Sequence, residues 1–167
     1  MQILASYNIK GGVGKTATSV NLAFQGAHEG ARTLIWDLDP QGAATFYFRV
    51  RPKIKGGSRA LLKGRHDLAD LIKATDHDNL DLLPSDFSYR TMDLLLDDTK
   101  KPNERLKLLL SPLAEEYDYV FLDCPPGLTL LSESIFEAAN VLVVPVIPTS
   151  LSLRTLKQLV EFRRKKQ

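Results

Sequence analysis

The 167 residues carry 22 Lys and Arg against 20 Asp and Glu, a net charge of +2, with 44% hydrophobic and 25% charged residues. That length suits one domain with a sizeable core, that composition excludes a disordered chain, and so small a net charge names no partner. The single cysteine, Cys124, excludes an internal disulfide framework, and no run approaches the ~18 consecutive apolar residues of a membrane span, so a cytoplasmic protein without a signal peptide is expected.

Met1–Asn8 (MQILASYN) reads as a short buried strand, and Ala17–Glu29 spaces Val20, Leu22, Ala23, Phe24 and Ala27 as a helix does. Between them lies Lys10–Thr16, KGGVGKT. Strand, glycine-rich turn and helix form a setting for phosphate: the glycines let successive N–H groups face inward, and the helix N-terminus adds partial positive charge. Lys15 is placed to reach β- and γ-phosphates and the Thr16 hydroxyl to hold Mg²⁺. The common spacing puts a glycine five residues before Gly14; Ile9 stands there, and a second lysine, Lys10, precedes Gly11.

Gly30 sits at a helix C-cap position, and Arg32–Asp39 (RTLIWDLD) reads as a second strand whose run Leu34–Trp36 is buried on both faces, as in a parallel sheet. Asp37 and Asp39 end it, ahead of Pro40-Gln41-Gly42. In open α/β sheets ligands bind beyond the carboxyl ends of strands, which brings these acids to the rim of the glycine turn; the alternative is that one caps a short helix starting near Gln41. From Arg49 to Arg65, seven basic residues run without an acidic one, alongside Pro52 and Gly56-Gly57. This reads as an exposed and mobile connection, either a solvated loop or a contact surface for DNA phosphates.

Asp67–Thr75 reads as a short capped helix, Leu80–Pro84 as a third strand and Arg90–Asp98 as a helical or irregular segment. Pro102–Tyr117 reads as a helix with Leu106, Leu109, Leu110 and Leu113 on one side, bent or split by Pro112. Tyr117–Asp123 is an apolar strand ending in a carboxylate, the usual second anchor for Mg²⁺ in a phosphate-binding fold. Pro125-Pro126-Gly127 behind it joins a stiff element to a hinge suited to sensing a γ-phosphate, and Cys124 reads as a small core residue. Leu128–Ala139 is a helix, Val141–Ile147 a fifth strand with Pro145 near its end, and Ser150–Lys166 a final helix with a core stripe of Leu153, Leu156, Leu159, Val160 and Phe162. Its basic end, Arg163 to Lys166, complements the helix dipole or touches nucleic acid or anionic lipid. His28, His66 and His77 lack metal-ligand spacing.

Three motifs, KGGVGKT, DLDPQG (Asp37–Gly42) and YDYVFLDCPPGL (Tyr117–Leu128), together resemble the ParA/Soj/MinD family of deviant Walker-A ATPases, closest to ParA-type plasmid and chromosome partition proteins. NLDLLPS (Asn79–Ser85) and the stretch from Val141 extend the resemblance over nearly the whole chain. It implies an α/β, three-layer P-loop NTPase fold over residues 1–167, with a mostly parallel central sheet flanked by helices and the family's C-terminal strands missing. It implies ATP/ADP and Mg²⁺ as cofactors, with Lys10, Gly11, Gly12, Val13, Gly14, Lys15, Thr16 and Ala17 around the phosphates. The metal set is Thr16, Asp123 and Asp39, and the catalytic set Lys10, Lys15 and Asp39, with Asp39 placing the attacking water and Lys10 reaching the phosphates of a partner subunit. Ala17 departs from the family's Thr or Ser, which removes one hydroxyl.

The implied partners are a second copy in an ATP-dependent homodimer, a ParB-like DNA-binding protein and non-specific DNA, at the nucleoid; a membrane partner is not expected. Three rivals stand beside an ATPase acting in DNA segregation. They are a nucleotide-binding scaffold with little turnover, a MinD-like membrane-associated positioning ATPase, and an ATP-dependent amidoligase.

Overall fold

The chain opens with β1 (Gln2–Ser6), passes through the glycine turn into α1 (Lys15–His28) and returns along β2 (Thr33–Asp37). α2 (Ala43–Tyr47) and α3 (Gly57–Leu62) follow, then β3 (Lys73–Ala74), β4 (Leu80–Leu83), α4 (Met92–Asp97) and α5 (Arg105–Leu110). β5 (Tyr119–Asp123), α6 (Leu130–Ala138), β6 (Val141–Val143) and α7 (Ser150–Arg164) complete it. This computed structural model describes residues 1–164, so the basic pair Lys165 and Lys166 lies outside the described residues.

Among the described residues one six-stranded sheet has the order β3-β4-β2-β5-β1-β6, parallel except for β3. All five residues of β2 are buried, as a central parallel strand covered on both faces requires. Side chains alternate between two cores. Leu34, Trp36, Val120 and Leu122 pack on one side with Leu96, Leu106, Leu110, Ile135 and Leu159 of α4 to α7. Ile35, Leu80, Leu82 and Phe121 face the other, against Ala23 and Ala27 of α1 and Ala44 of α2. The result is the expected three-layer α/β architecture.

α1 begins at Lys15, two residues before the apolar periodicity does, because Gly14 (φ 92) turns the chain into the helix. It ends as expected: Gly30 is left-handed at φ 92, and its N–H donates to the Ala27 carbonyl at 2.9 Å. Pro112 splits the long expected helix into α5 and a 3-10 turn over Ser111–Leu113. Leu106, Leu110 and Leu113 are buried there.

Four expectations need correction. Asp67–Thr75 is a single 3-10 turn, Leu68–Leu71, followed by the antiparallel edge strand β3. Leu68 and Leu71 are the two buried positions, and a 3-10 turn aligns residues three apart, so one turn buries both and nothing holds a longer helix. The Arg49–Arg65 connection is anchored rather than loose. Ile54, Ala60, Leu61 and Leu62 are buried between the exposed basic residues, and the Asp86 carboxylate accepts from the Ile54 N–H (3.0 Å) while Ser58 donates to the Ser88 carbonyl (3.0 Å). β6 stops at Val143, and Val146 and Ile147 are exposed. In α7 only part of the expected stripe is core: Leu159 is buried, whereas Leu153 and Val160 are exposed.

Candidate functional site

Three strands end side by side. Ser6 of β1 is in register with Asp123 of β5, and Asp123 with Asp37 of β2. Beyond those residues lie the glycine turn, Cys124–Gly127 and Leu38–Gly42, so motifs far apart in sequence share one rim.

The turn after β1 is tied at both ends. Ser6 Oγ donates to the Lys15 carbonyl (3.0 Å). The buried Asn8 accepts the Lys10 N–H at Oδ1 (2.9 Å) and donates through Nδ2 to the Pro145 carbonyl (2.8 Å), which ties the turn to the segment after β6. Gly12 (φ 71) and Gly14 (φ 92) are left-handed, conformations any side chain would strain. Beyond the adjoining residues, no heavy atom lies within 4 Å of where a Cβ would sit at Gly11, Gly12 or Gly14, so nothing packs over the turn at these positions. The first N–H groups of α1, which opens at Lys15 directly after the turn, have no partner within the helix, and donors left over at a helix N-terminus bind anions.

Lys15 is buried, and its Nζ folds back onto the Lys10 carbonyl at 3.2 Å. Burial pushes its ammonium below the ordinary range, against the pull of Asp123 and Asp39. A poorly solvated cation held by one carbonyl gains strongly from an incoming polyanion. Lys10 Nζ has no hydrogen bond or ion pair among the described residues. Ala17 is exposed on the first turn of α1.

Asp123 is fully buried, with Oδ1 accepting from Ser19 Oγ at 3.2 Å and Oδ2 left without a hydrogen-bond partner. Burial pushes its carboxyl up to about 7, with Asp37 and Asp39 pushing the same way and the Thr16 and Ser19 hydroxyls opposing. Orphaned carboxylate oxygens are costly, and a hard divalent cation is the ligand that removes the cost. Among the described residues no group of three or more His, Cys, Asp and Glu is placed to hold a metal, so Asp123 is one isolated carboxylate at this point of the rim.

Asp37 and Asp39, neighbours in sequence, differ in setting. Asp37 is fully buried and accepts at Oδ2 from Thr45 N–H (2.8 Å), a first-turn donor of α2, and from Thr45 Oγ1 (2.7 Å), so this acid both caps the short helix and ties it to the end of β2. Burial raises its carboxyl to about 6, although these donors pull it back. Asp39 is half-buried on the rim, with Oδ1 oriented by the Gln41 N–H at 2.9 Å. Sequence reasoning missed Thr45, Ser19 and Tyr7. Ser19 is four residues past Lys15, one helical turn along the same face, which a helical projection from the glycine turn can find. Tyr7 donates to the Gly127 carbonyl, and the Gly127 N–H donates to the Ile9 carbonyl (3.1 Å), so the segment behind Asp123 is fastened to the start of the glycine turn. Cys124 is buried, as expected of a core residue.

The two raised carboxyls set a pH dependence. Between the unfolded value near ~4 and the folded values, the native chain holds protons that the unfolded chain has shed, so stability falls as pH rises through that window. The denaturant midpoint of the ligand-free chain is expected to drop between about pH 4 and about pH 7, and Asp123→Asn to flatten the drop. A midpoint that rises with pH would contradict the burial of these acids.

The whole chain, residues 1–167, matches a family model described as AAA domain. The sporulation initiation inhibitor protein Soj of Bacillus subtilis is 38% identical over 160 residues, 95% of this chain and 63% of that protein. This chain therefore spans less than two thirds of the length of that curated relative. Among solved structures, cobyrinic acid a,c-diamide synthase from Mycobacterium smegmatis with bound ADP and magnesium superposes with a TM-score of 0.89 at 31% identity, over 96% of this chain and 66% of that one. Cyanothece McdA, in a complex with ATP, superposes with a TM-score of 0.91 at 27% identity, over 99% and 64%.

Proposed function

Because the chain belongs to the AAA domain family, and within it to the ParA/Soj/MinD group of P-loop ATPases, we propose that it binds and hydrolyses ATP with Mg²⁺ as the nucleotide-timed switch of a DNA-partition system. The observation that carries this reading is the meeting, at three adjacent strand ends, of an open left-handed glycine turn, a buried Lys15 and an Asp123 oxygen without a partner.

The turn N–H groups and Lys15 bind the phosphates, and Thr16 and Asp123 would hold Mg²⁺. When bound, that ion neutralises phosphate charge and orients the terminal phosphoryl group. Asp39 orients a water in line with that group, its carboxylate fixed by Gln41. Nucleotide state reaches the segment behind Asp123 through the Gly127 bonds to Tyr7 and Ile9. Lys10, whose side-chain Nζ has no partner among the described residues, serves the phosphates of a second copy, which makes turnover depend on dimerisation. The exposed basic residues Lys53, Lys55, Arg59, Lys63 and Arg65 support contact with non-specific DNA, and a ParB-like protein is the partner that such a switch implies.

Phosphate release from ATP tests the reading: Mg²⁺-dependent turnover is expected from this chain, and none above buffer would overturn it. Lys10→Ala is expected to keep ATP affinity within a few-fold while losing the ATP-dependent dimer on gel filtration. An unchanged dimer population would remove Lys10 from the trans role. The likeness to the diamide synthase favours one second reading, an amidoligase; there, ADP would form only when a carboxylic acid substrate and an amide donor are added.

A further inference from the structure

Three cavities of the described surface adjoin one another, and none of the three contains the phosphate turn. One of about 380 Å³ lies between the end of α1 and the turn before β4, where His28, Asp76, His77 and Asp78 meet. A second, about 190 Å³, shares Asp76 and His77 with it and adds Tyr47, Phe48 and Arg49. The third, about 530 Å³, shares Tyr47 and Arg49 and adds Phe46, Val50 and Arg51. Their shared linings make one groove along α2 and the turn before β4.

We propose that this groove docks a short segment of a partner protein, with an apolar or aromatic anchor seated against Phe46, Tyr47 and Val50, acidic side chains beside it facing Arg49 and Arg51, and a basic group farther on facing Asp76 and Asp78. Phe46 is 80% and Tyr47 63% exposed, on consecutive positions of a helix whose inner residues Ala44 and Thr45 are buried. Adjacent exposed aromatics over a concave apolar floor, rimmed by arginines, have the anatomy of an interface hot spot. Arg49 adds an independent sign. It follows the C-cap Phe48 of α2 at φ 56, a left-handed position where glycine is the ordinary choice, so the arginine sits there at a conformational cost.

The charge order selects the occupant. Arg49 and Arg51 alone would suit a nucleic acid strand stacked on the two rings. A strand following the groove would carry its phosphates on to Asp76 and Asp78, which repel them. A peptide can reverse its charge along its length, as the groove does.

The groove is wired to the site. Thr45 lies between Phe46 and the Asp37 carboxylate that it holds through two hydrogen bonds, and Ser85 N–H donates to Thr45 Oγ1 at 2.9 Å. An occupant that shifts α2 therefore shifts the turn carrying Asp39. This effect on turnover, unlike the docking itself, rests on the ATPase reading.

Selection of a randomised peptide library on the full chain tests the docking. The expected consensus is an apolar anchor with acidic residues on one side and a basic residue on the other. By fluorescence anisotropy, the selected peptide is expected to bind the double variant Phe46→Ser, Tyr47→Ser about tenfold more weakly, and Arg51→Glu likewise. These side chains are exposed, so the variants keep the native circular dichroism. No consensus, a consensus without the charge order, or equal affinity for wild type and variants overturns the proposal, as does displacement of the peptide by oligothymidylate, which would make the groove a nucleic-acid site. Binding is read without nucleotide, so it stands or falls separately from hydrolysis; a change in phosphate release on adding the peptide reports only the coupling.

Discussion

Lys15→Ala is expected to abolish nucleotide binding, with ATP affinity falling by about two orders of magnitude or more, some 3 kcal/mol. Lys15 is buried at the base of the open turn, with one carbonyl for a partner and an ammonium that burial destabilises. A bound polyphosphate supplies the charge this cation lacks, so nearly all of its compensation comes with the ligand. The same circumstance predicts that the variant folds. Lys15 makes no ion pair among the described residues, so the variant breaks none, but it takes a cation away from the buried Asp123, and the ligand-free stability of Lys15→Ala is expected to fall only modestly. Isothermal titration with ATP and Mg²⁺ decides the first point and denaturant unfolding the second. Retained affinity in a stable Lys15→Ala protein would show that phosphates sit elsewhere.

Asp39→Ala is expected to separate binding from turnover. The carboxylate sits half-buried on the rim, oriented by Gln41, and near enough to Asp123 to raise its carboxyl. Loss of a group that orients or deprotonates the attacking water costs on the order of 10²–10⁴-fold in rate. Affinity is expected to hold or improve slightly, because one negative charge leaves the neighbourhood of the phosphates. Asp37→Ala should behave differently: it cuts both bonds to Thr45, loosens α2 and lowers stability along with turnover. Equal phosphate release from Asp39→Ala and wild type would sink the hydrolytic reading and leave a nucleotide-binding scaffold.

The places where sequence reading and structure part have a common cause. β2 and β5 were legible because a strand buried on both faces writes a continuous apolar run, and α1 because glycine and helical periodicity adjoin. The segment Arg49–Arg65 was read by its charges, which do point outward, while the isolated Ile54 and the pair Leu61-Leu62 that anchor it carry no period to betray them. α7 was read by its stripe, but burial needs an opposing surface, and among the described residues that surface reaches Leu159 and not Leu153 or Val160.

The sequence by itself determined the chemistry available: a glycine turn with two lysines, Thr16 opening a helix, and acids at two strand ends. Residue type and short-range spacing are enough for that, since backbone curvature and helix polarity are local. Tertiary structure alone decided how the acids divide their work. The parallel register sets Ser6, Asp123 and Asp37 in one row, and burial leaves an Asp123 oxygen without a partner. Packing of α2 commits Asp37 to Thr45 and leaves Asp39 on the rim. These outcomes depend on strand order and on which side of the sheet a helix covers, and neither is written in the spacing of residues along the chain.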